Sequence, residues 1–351
     1  MSVGVSVIIP TWNGLDLLKR FLPSVLTACT RYAQDSRAEV ELIVVDDASS
    51  DGTYEWLIGS GFFEPAADNG MTGKSHKGHV ALRCLRNERN LGFGLSCNRG
   101  FKSASEPLIF LLNNDVEVST DCIAPLTRGF ENDEVFAAHC RVMQFGTEQV
   151  CGTGKVGSFK RGFLRVHQSC EPRPALNGQT NDPSAFYSMF AGGGATMFHR
   201  RRLMEIGAFD HLLSPFYWED VELSYRAWKR GYTVLYEPRS VVSHRVSSTV
   251  RKLDQRHVRV IEQRNRLLCH WIHLQDTRFL LAHFTWTFIL LLTAPLRFKT
   301  EFIWALWAAL RRLPEVRARR VEERKVTRRS DREVLDIFAE LAKRDDLWVY
   351  D

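Results

Sequence analysis

The sequence has no closely spaced cysteines. Its eight cysteines are never nearer than eleven positions to one another, so it contains no C-x-x-C pair. Zinc ribbons and small disulfide-rich scaffolds need such pairs, and both classes are therefore excluded. Isolated cysteines in a chain of 351 residues are typical of a reducing compartment, and the first residues lack the basic segment of a secretory signal peptide. We expect a cytoplasmic protein.

The sequence has little net charge, and that charge is unevenly placed. The formal net charge is +6, yet eleven Lys and Arg residues against four Asp and Glu residues lie between positions 297 and 329. The rest of the chain is therefore close to neutral. A nucleic-acid surface needs basic residues spread over a folded face, so we expect no nucleic-acid partner.

One apolar segment precedes that basic run. Residues 279–296 read FLLAHFTWTFILLLTAPL, eighteen residues without a formal charge, which is close to the shortest length that spans a bilayer. Tryptophans near its edges and arginines behind it are typical of an element at a membrane surface. A buried core helix followed by a solvated basic helix is the other interpretation. We expect attachment to the inner face of the cell membrane through the C-terminal region, and leave open whether the segment spans, dips into or avoids the bilayer.

Strand and helix patterns alternate through the first third of the chain. Apolar runs at 6–10, 40–47, 80–87 and 107–118 predict strands, and helical patterns at 15–26, 51–59 and 91–104 lie between them. Fully apolar strands joined by helices predict an α/β fold with a mostly parallel sheet flanked by helices. Ligands of such sheets bind beyond the carboxyl ends of the strands, and all four predicted ends carry polar residues. We therefore expect these residues to converge on one crevice.

The later segments are less regular. Residues 192–210 predict a turn, a strand and a helix. Residues 217–232 predict a helix, and residues 233–244 predict two strands joined by a turn. Residues 140–190 show no clear periodicity. They contain GTGKVG, which matches G-x-G-x-x-G, but the residues after it do not predict the helix that a dinucleotide site requires.

Four groups of polar residues are candidates for chemistry, and each has a plainer alternative. Asp46-Asp47 accepts hydrogen bonds from a nucleobase or ribose, or simply caps the next helix. The run Asn113–Asp115 holds a hard cation together with a diphosphate, or ends its strand in an Asx-turn. Asp220 opens a helix, where a carboxylate stays ionised and suits a general base, although helices often begin with an acid. His244 is a metal ligand or a buried core histidine, and the residues alone favour the core.

Taken in order, the motifs SVIIPTWNG, VVDDASSDGT, RNERNLGFGLSCNRG, LLNNDVEV, GGGATMFHRR, FYWEDVELSYR and VVSH resemble the family-2 inverting glycosyltransferases of GT-A fold. Within them, the chain looks like the bacterial rhamnosyl- and galactofuranosyl-transferase-like enzymes that build surface polysaccharide of the cell envelope. The resemblance covers about residues 3–250. It implies a GT-A (Rossmann-like) domain over residues 1–250 and a helical C-terminal region over residues 251–351.

The resemblance also implies roles for the matching residues. Asp220 becomes the catalytic base, and Asp115 with His244 the site of a divalent cation, Mg²⁺ or Mn²⁺. Asn113 stands where the family's D-x-D motif has its first Asp, so the diphosphate has to supply most of the remaining metal ligands. The implied donor-binding residues are Pro10, Asn13, Asp47, Asn90, Asn113 and Arg200, and the implied acceptor-binding residues are Tyr217, Trp218 and Glu219.

The implied reaction is metal-assisted transfer, with inversion, from a nucleotide-diphosphate sugar to a hydroxyl of a polysaccharide or lipid-linked acceptor. A sugar-phosphate nucleotidyltransferase is a rival, but it needs a basic glycine-rich loop after the first strand, and PTWNG has no Lys or Arg. The alternative from another class is a non-catalytic nucleotide-sugar-binding scaffold in a membrane complex for glycan assembly. The presence of Asp115, Asp220 and His244 together disfavours it.

Overall fold

A computed structural model describes residues 2–62, 75–77, 79–173, 185–245, 254–294 and 300–350. The strands in this part of the chain are β1 Val5–Thr11, β2 Val40–Asp46, β3 Ser75–Lys77, β4 Val80–Arg86, β5 Leu108–Leu112, β6 Val116–Val118, β7 Val135–Gln144, β8 Val150–Gly152, β9 Gly154–Lys160, β10 Phe163–Pro172, β11 Phe186–Tyr187, β12 Ala195–His199, β13 Thr233–His244 and β14 Leu347–Tyr350. The helices are α1 Leu15–Ser36, α2 Thr53–Gly59, α3 Phe93–Ser103, α4 Ile123–Gly129, α5 Arg200–Ile206, α6 Glu219–Lys229, α7 Gln255–His273, α8 Thr277–Thr293, α9 Glu301–Leu310, α10 Leu313–Val326 and α11 Asp331–Leu341.

A mixed, mostly parallel sheet forms the centre of the molecule. Its main path runs β11-β13-β7-β12-β5-β1-β2-β4-β3, with β6 added to β13 and β8 added to β7. The pairs β1–β2, β1–β5, β2–β4 and β7–β13 are parallel, whereas β12 runs antiparallel to both of its neighbours. This confirms the predicted α/β class, with one reversed strand at its centre.

The sequence pattern explains why the sheet is buried on both faces. Every residue of β1, β2 and β5 is buried, as expected for parallel strands covered by helices on either side. Helix α1 places Leu18, Leu22, Val25 and Cys29 on one face, at the three- and four-residue spacing of an amphipathic helix. Two hydrophobic clusters result, one on each side of the sheet.

Three local predictions change in the structure. The apolar run 107–118 is two strands, since the polar residues Asn113–Asp115 separate β5 from β6. Residues 233–244 form the single strand β13, and the expected turn is only an irregularity of pairing between Glu237 and Val241. The GTGKVG motif lies in β8 and β9, with no helix after it, as its context predicted.

The C-terminal helices pack against α6 through buried polar groups. The Asp331 carboxylate at the start of α11 accepts hydrogen bonds from Tyr225 Oη (2.6 Å) and Lys229 Nζ (2.8 Å) of α6. It also accepts from the backbone N–H groups of Gln275 (2.6 Å) and Asp276 (2.8 Å), between α7 and α8. One carboxylate therefore joins α6, α11 and the α7–α8 connection.

Helix α8 carries most of the apolar segment noted in the sequence. Its outward side exposes Leu281 (65%), Phe284 (54%) and Phe288 (59%), while Phe279 and His283 face inward. None of the helices in the described ranges is long and apolar enough to cross a membrane. Residues 295–299, which join this segment to the basic run, lie outside the described residues.

Candidate functional site

A pocket of about 560 Å³ opens at the carboxyl ends of β1, β2, β4 and β5, where the sequence predicted a crevice. Such an edge of a parallel sheet is where α/β proteins bind ligands. The predicted site residues that line it are Pro10, Asp47, Asn90, Asn113, Asp115, Tyr217, Glu219, Asp220 and His244. Three predicted residues do not line it, namely Asn13, Arg200 and Trp218.

Asp47 holds one wall of the pocket together. Its Oδ1 accepts hydrogen bonds from Asn87 Nδ2 (2.6 Å) and the backbone N–H of Leu91 (2.8 Å), and its Oδ2 accepts from the N–H of Gly92 (2.9 Å). These three bonds fix the loop between β4 and α3, on which Asn90 lies. A carboxylate has about four acceptor positions, so one remains for a ligand.

Asn13 stabilises the neighbouring loop. Its Oδ1 accepts a hydrogen bond from the backbone N–H of Ser50 (2.8 Å), and its own N–H donates to Ser49 Oγ (2.8 Å). The backbone of Asn13 is left-handed (φ 49°), a conformation that Asn adopts more readily than most residues. Asn13 therefore joins the ends of β1 and β2 beside the pocket.

Asp115 and His244 form a pair on another wall. Asp115 follows β5, His244 ends β13, and the antiparallel pairing of β13 with β6 brings them side by side. The distance between Asp115 Oδ1 and His244 Nε2 is 3.0 Å. The alternative of a histidine enclosed in the core is therefore wrong, because His244 is partly exposed and lines the pocket.

This pair fits part of a metal shell. Carboxylate oxygen and imidazole nitrogen both suit Mn²⁺, and oxygen suits Mg²⁺. Across the described residues, no group of three or more His, Cys, Asp or Glu side chains is arranged to hold an ion. A cation at Asp115 and His244 would thus need further oxygens from a ligand such as a diphosphate.

A glycine segment links this wall to Asp220. The N–H of Asn113 donates to the carbonyl oxygen of Gly194 (2.9 Å), and the N–H of Gly193 donates to Asp220 Oδ2 (3.3 Å). A Cβ at Gly194 would lie 2.9 Å from the side-chain amide nitrogen of Asn113, so a larger residue there would displace that amide. The GGG motif therefore sets the spacing between the end of β5 and the start of α6.

Glu219 and Asp220 are adjacent carboxyl groups in different environments. Asp220 accepts hydrogen bonds from the N–H groups of Val221 (2.8 Å) and Gly193, which favour its ionised form against the burial that raises its pKa. Glu219 Oε2 is buried without a hydrogen-bond partner among the described residues. Burial, and then the neighbouring Asp220 charge, raise the pKa of Glu219 to about 8. The backbone hydrogen bonds therefore favour a negative charge on Asp220, while burial favours a proton on Glu219.

The aromatic residues before this pair lie in a strained segment. Tyr217 (φ 67°) and Trp218 (φ 72°) are both left-handed, which costs on the order of 1 kcal/mol or more for each non-glycine residue. Tyr217 is exposed at the mouth of the pocket (41%). Trp218 turns inward, where its ring lies 5.6 Å from the Arg266 guanidinium. Trp218 therefore does not line the pocket together with Tyr217.

Asn265 of α7 holds the strained segment in place. Its buried Nδ2 lies 2.5 Å from the carbonyl oxygen of Leu213, 3.0 Å from that of Phe216 and 2.8 Å from that of Tyr217. These carbonyl groups have no helical or strand partner, so the amide satisfies them. No local signal in the sequence pointed to Asn265, because it acts across about fifty positions of the chain.

Arg200 lies at the wrong edge of the sheet for a donor contact. Because β12 is antiparallel to β5, its last residue, His199, pairs with Leu108 at the start of β5. Arg200 follows His199, and its N–H donates to the carbonyl oxygen of Pro107 (2.9 Å). The structure therefore does not bring Arg200 to the pocket with the other residues predicted to bind the donor.

Several lining residues were missed. They include Trp12, Phe93, Pro215 and Phe216. Trp12 directly precedes the predicted Asn13, so the aromatic residue after β1 was a usable signal. Phe216 belongs to the segment that Asn265 holds, and its position depends on α7.

Comparisons with known proteins agree with this geometry. A sequence model of the family described as "Glycosyltransferase like family 2" matches residues 3–262. The chain is 25% identical over 170 residues to N-acetylgalactosaminyltransferase 7 of Drosophila melanogaster, covering 46% of this chain and 29% of that protein. It is 31% identical over 127 residues to an undecaprenyl-phosphate 4-deoxy-4-formamido-L-arabinose transferase of Photorhabdus laumondii, covering 36% of this chain and 34% of that protein.

Among solved structures, the fold is similar to the crystal structure of GalNAc-T7 with UDP, GalNAc and Mn²⁺. The TM-score is 0.56 at 21% identity, and the match covers 78% of this chain and 48% of that one. At this identity the likeness concerns the fold alone. This chain spans less than half the length of each of these three proteins.

Proposed function

The chain belongs to glycosyltransferase-like family 2, and we propose that it transfers a sugar from a nucleotide-diphosphate sugar to an acceptor hydroxyl, with inversion. One feature carries this proposal. A single pocket holds the Asp115–His244 pair on one wall and the Asp220 carboxylate on another, joined by the glycine segment. The Asp115–His244 pair suits a diphosphate with its cation, and the Asp220 carboxylate suits a base that takes the proton of the acceptor hydroxyl.

Asp220 is the proposed catalytic base. Its two backbone N–H donors hold the carboxylate in a fixed orientation and favour its ionised form. It takes the proton of the acceptor hydroxyl as that oxygen attacks the anomeric carbon from the face opposite the diphosphate. The C–O bond to the diphosphate breaks in the same displacement, so configuration at the anomeric carbon inverts. A base of this kind contributes typically about 10²–10⁴-fold to the rate.

Glu219 has a different proposed role. Because its raised pKa keeps it protonated at neutral pH, it donates a hydrogen bond rather than removing a proton. Its buried, unpartnered Oε2 lines the same pocket as Asp220. Together with Tyr217, it forms the proposed acceptor wall.

Asp115 and His244 are the residues that would hold the divalent cation. A bound Mg²⁺ or Mn²⁺ supplies positive charge next to the leaving diphosphate. Asn113, Asp47, Asn90 and Pro10 surround the remaining space and are the proposed donor contacts. The GalNAc-T7 structure, to which the fold is similar, holds both UDP and Mn²⁺, which supports this class of ligand.

The finer identity of the reaction is also a proposal. The motif resemblance favours a rhamnosyl- or galactofuranosyl-type donor and an acceptor in cell-envelope polysaccharide synthesis. We propose residues 1–250 as the catalytic domain and residues 251–351 as a helical region that supports α6. All eight cysteines are free and seven are buried, which supports a reducing, cytoplasmic compartment.

Membrane attachment through the C-terminal region remains part of the proposal. The outward side chains of α8 form what we call the apolar stripe, which consists of Leu281, Phe284, Phe288 and Leu292. A contiguous exposed apolar surface of this kind commonly marks an interaction site. Arg278 stands at the start of the same helix, and Arg311, which follows α9, lies 4.6 Å from the exposed Trp307 ring of α9. Aromatic residues with cations beside them suit an anionic bilayer surface.

The test compares two matched variants of the carboxyl pair. Asp220→Asn should leave donor binding, measured by thermal stabilisation with a panel of nucleotide sugars and Mn²⁺, nearly unchanged. Its turnover should fall by about 10²–10⁴-fold. Glu219→Gln, which keeps the shape and the neutral state, should retain most of the turnover at neutral pH. A wild-type chain that binds a nucleotide sugar but neither hydrolyses nor transfers it would instead establish the non-catalytic scaffold.

A further inference from the structure

The hairpin of β9 and β10 forms a second cleft, outside the candidate active site, with a volume of about 470 Å³. We call it the hairpin cleft. Its lining contains three permanent cations, one histidine and no acid, and consists of Ser158, Lys160, Arg161, Arg165, His167 and Gln168. A concave surface lined by charges of one sign attracts ligands of the other sign.

The pairing of the two strands brings the cations of the hairpin cleft together. Lys160 lies opposite Phe163, and Ser158 lies opposite Arg165, so Lys160 and Arg165 are diagonal neighbours on one face of the hairpin. Arg161, in the left-handed turn (φ 52°), follows Lys160 directly. All three cations are exposed, and no carboxylate in the described ranges forms an ion pair with any of them. Their charges are therefore available to a ligand.

A half-buried arginine of α7 adds a fourth charge at the wall of this cleft. Phe163, on the same face of β10 as Arg165, stacks on the Arg266 guanidinium at 4.5 Å. Arg266 Nη2 donates to the carbonyl oxygen of Leu164 (2.9 Å), whereas its Nε is buried without a hydrogen-bond partner among the described residues. Burial, and then the Arg165 charge, lower the pKa of Arg266 to about 10. An anion beside Arg165 therefore relieves the repulsion between the two guanidinium groups.

One acid lies near these cations. The charge of Glu262, one turn before Arg266 on α7, acts on both Arg266 and His167, but Glu262 forms no ion pair with either in the part of the chain that the structure describes. Four cations face this single carboxylate, so the hairpin cleft keeps a positive excess.

Arg266 also connects the hairpin cleft to the candidate active site. Its guanidinium lies 5.6 Å from the ring of Trp218, and the residues on either side of Trp218, Tyr217 and Glu219, line the pocket at the proposed acceptor wall. The donor diphosphate has its own proposed place beside Asp115 and His244. The hairpin cleft therefore lies on the acceptor side, beyond Trp218.

The chemistry of the cleft indicates what such an acceptor carries. Guanidinium groups bind the paired oxygens of carboxylates and phosphates, and these charge-assisted hydrogen bonds are stronger than those to neutral hydroxyl groups. From this arrangement we propose that the hairpin cleft binds a carboxylate or phosphate group of the acceptor glycan, on a unit behind the one whose hydroxyl meets Asp220. The protein thereby selects an acidic glycan over a neutral one. The inference rests on the proposed glycosyltransferase function for the acceptor's role, but the binding itself does not require catalysis.

The experiment measures binding of three probes to the full-length chain by calorimetry, without donor or metal. The probes are tetragalacturonate, its neutral counterpart galactotetraose, and a tetramer of glycerol phosphate. We expect at least one acidic probe to bind about tenfold or more tightly than galactotetraose, and added salt to weaken only the acidic probes. The tighter of the two acidic probes shows whether the cleft prefers carboxylate or phosphate.

Matched variants locate the binding. Arg161→Gln/Arg165→Gln should weaken the acidic probe by about tenfold or more, the effect of losing one charge-assisted hydrogen bond. Both arginines are exposed, so the fold should tolerate the change. Arg201→Gln, at an exposed arginine of α5 on the far edge of the sheet, is the control and should bind like the wild type.

Several outcomes would overturn the inference. If galactotetraose binds as tightly as the acidic probes, or if no probe binds measurably, the cleft does not recognise an acidic glycan. If inorganic phosphate competes as strongly as the acidic probe binds, the cleft is a site for free anions only. If Arg161→Gln/Arg165→Gln binds like the wild type, or if a nucleoside diphosphate displaces the acidic probe, the anion occupies another site.

Activity separates this inference from the proposed function. A wild type that binds the acidic probe but neither hydrolyses nor transfers a nucleotide sugar would contradict only the enzymatic proposal. An active wild type that does not distinguish acidic from neutral probes would contradict only the inference about the hairpin cleft.

Discussion

Replacing Glu219 by Gln should change how the stability of the protein depends on pH. The pKa of Glu219 is raised to about 8 by burial and then by Asp220, against an unfolded value of about 4.3. Between these two values the folded chain keeps a proton that the unfolded chain has lost. The free energy of unfolding therefore falls as pH rises through this window, by at most about 1.4 kcal/mol per pH unit from this one group. Gln imitates the protonated form and has no such dependence.

The measurement is urea denaturation of the wild type and Glu219→Gln between pH 5.5 and 8.5, without nucleotide or metal so that the pocket stays free of ligands. At pH 5.5, which is about 1.2 units above the unfolded pKa, the variant should already be more stable than the wild type by about 1.6 kcal/mol. The variant should then gain on the wild type by up to about 1.4 kcal/mol for each pH unit. Asp35→Asn, on the exposed end of α1, is a control that should run parallel to the wild type throughout. Parallel curves for Glu219→Gln would show that Glu219 is already ionised at neutral pH, and the proposed division of roles between Glu219 and Asp220 would be wrong.

Three further predictions concern other contacts of the site. Asp331→Ala leaves the Lys229 ammonium, which is only 1% exposed, without its partner. Thermal or urea unfolding should therefore show that the free energy of unfolding falls by about 3–5 kcal/mol. A fall of less than about 1 kcal/mol would mean that water replaces the carboxylate. Asp115→Ala should abolish metal-dependent stabilisation by the donor, and EDTA should have the same effect on the wild type; full donor binding in EDTA would contradict the metal site. Asn265→Leu should lower turnover with acceptor while sparing donor binding, and a fall in donor affinity instead would show that the segment it holds serves the donor side.

The sequence was sufficient where function depends on the ends of neighbouring parallel strands. Asp47 and Asn113–Asp115 each follow a fully buried strand, and strands of the same direction end at the same edge of the sheet. The crevice could therefore be inferred without coordinates. The position of Glu219 and Asp220 at the start of a helix could also be inferred, since the helical pattern begins there.

The structure departs from the expected positions where a position depends on contacts distant in sequence. Arg200 follows a strand just as Asp47 does, but β12 runs in the opposite direction and delivers it to the far edge. Strand direction is set by pairing with β5 and β7, which the local pattern does not encode. Trp218 likewise resembled an exposed aromatic beside Tyr217, yet its left-handed backbone and the packing of α7 turn it inward.

The four hydrogen bonds received by Asp331 have a consequence for how such enzymes can be recombined. They join α6, with Asp220 at its start, to the α7–α8 connection, which lies more than forty positions later, and to α11, which lies more than one hundred positions later. A chimera that takes residues 1–250 from one relative and the remainder from another would place the buried Lys229 ammonium of the first against the α11 helix of the second. Exchange of acceptor preference between relatives should therefore succeed when α6, α7 and α11 are moved as one set, even though they are far apart in the gene.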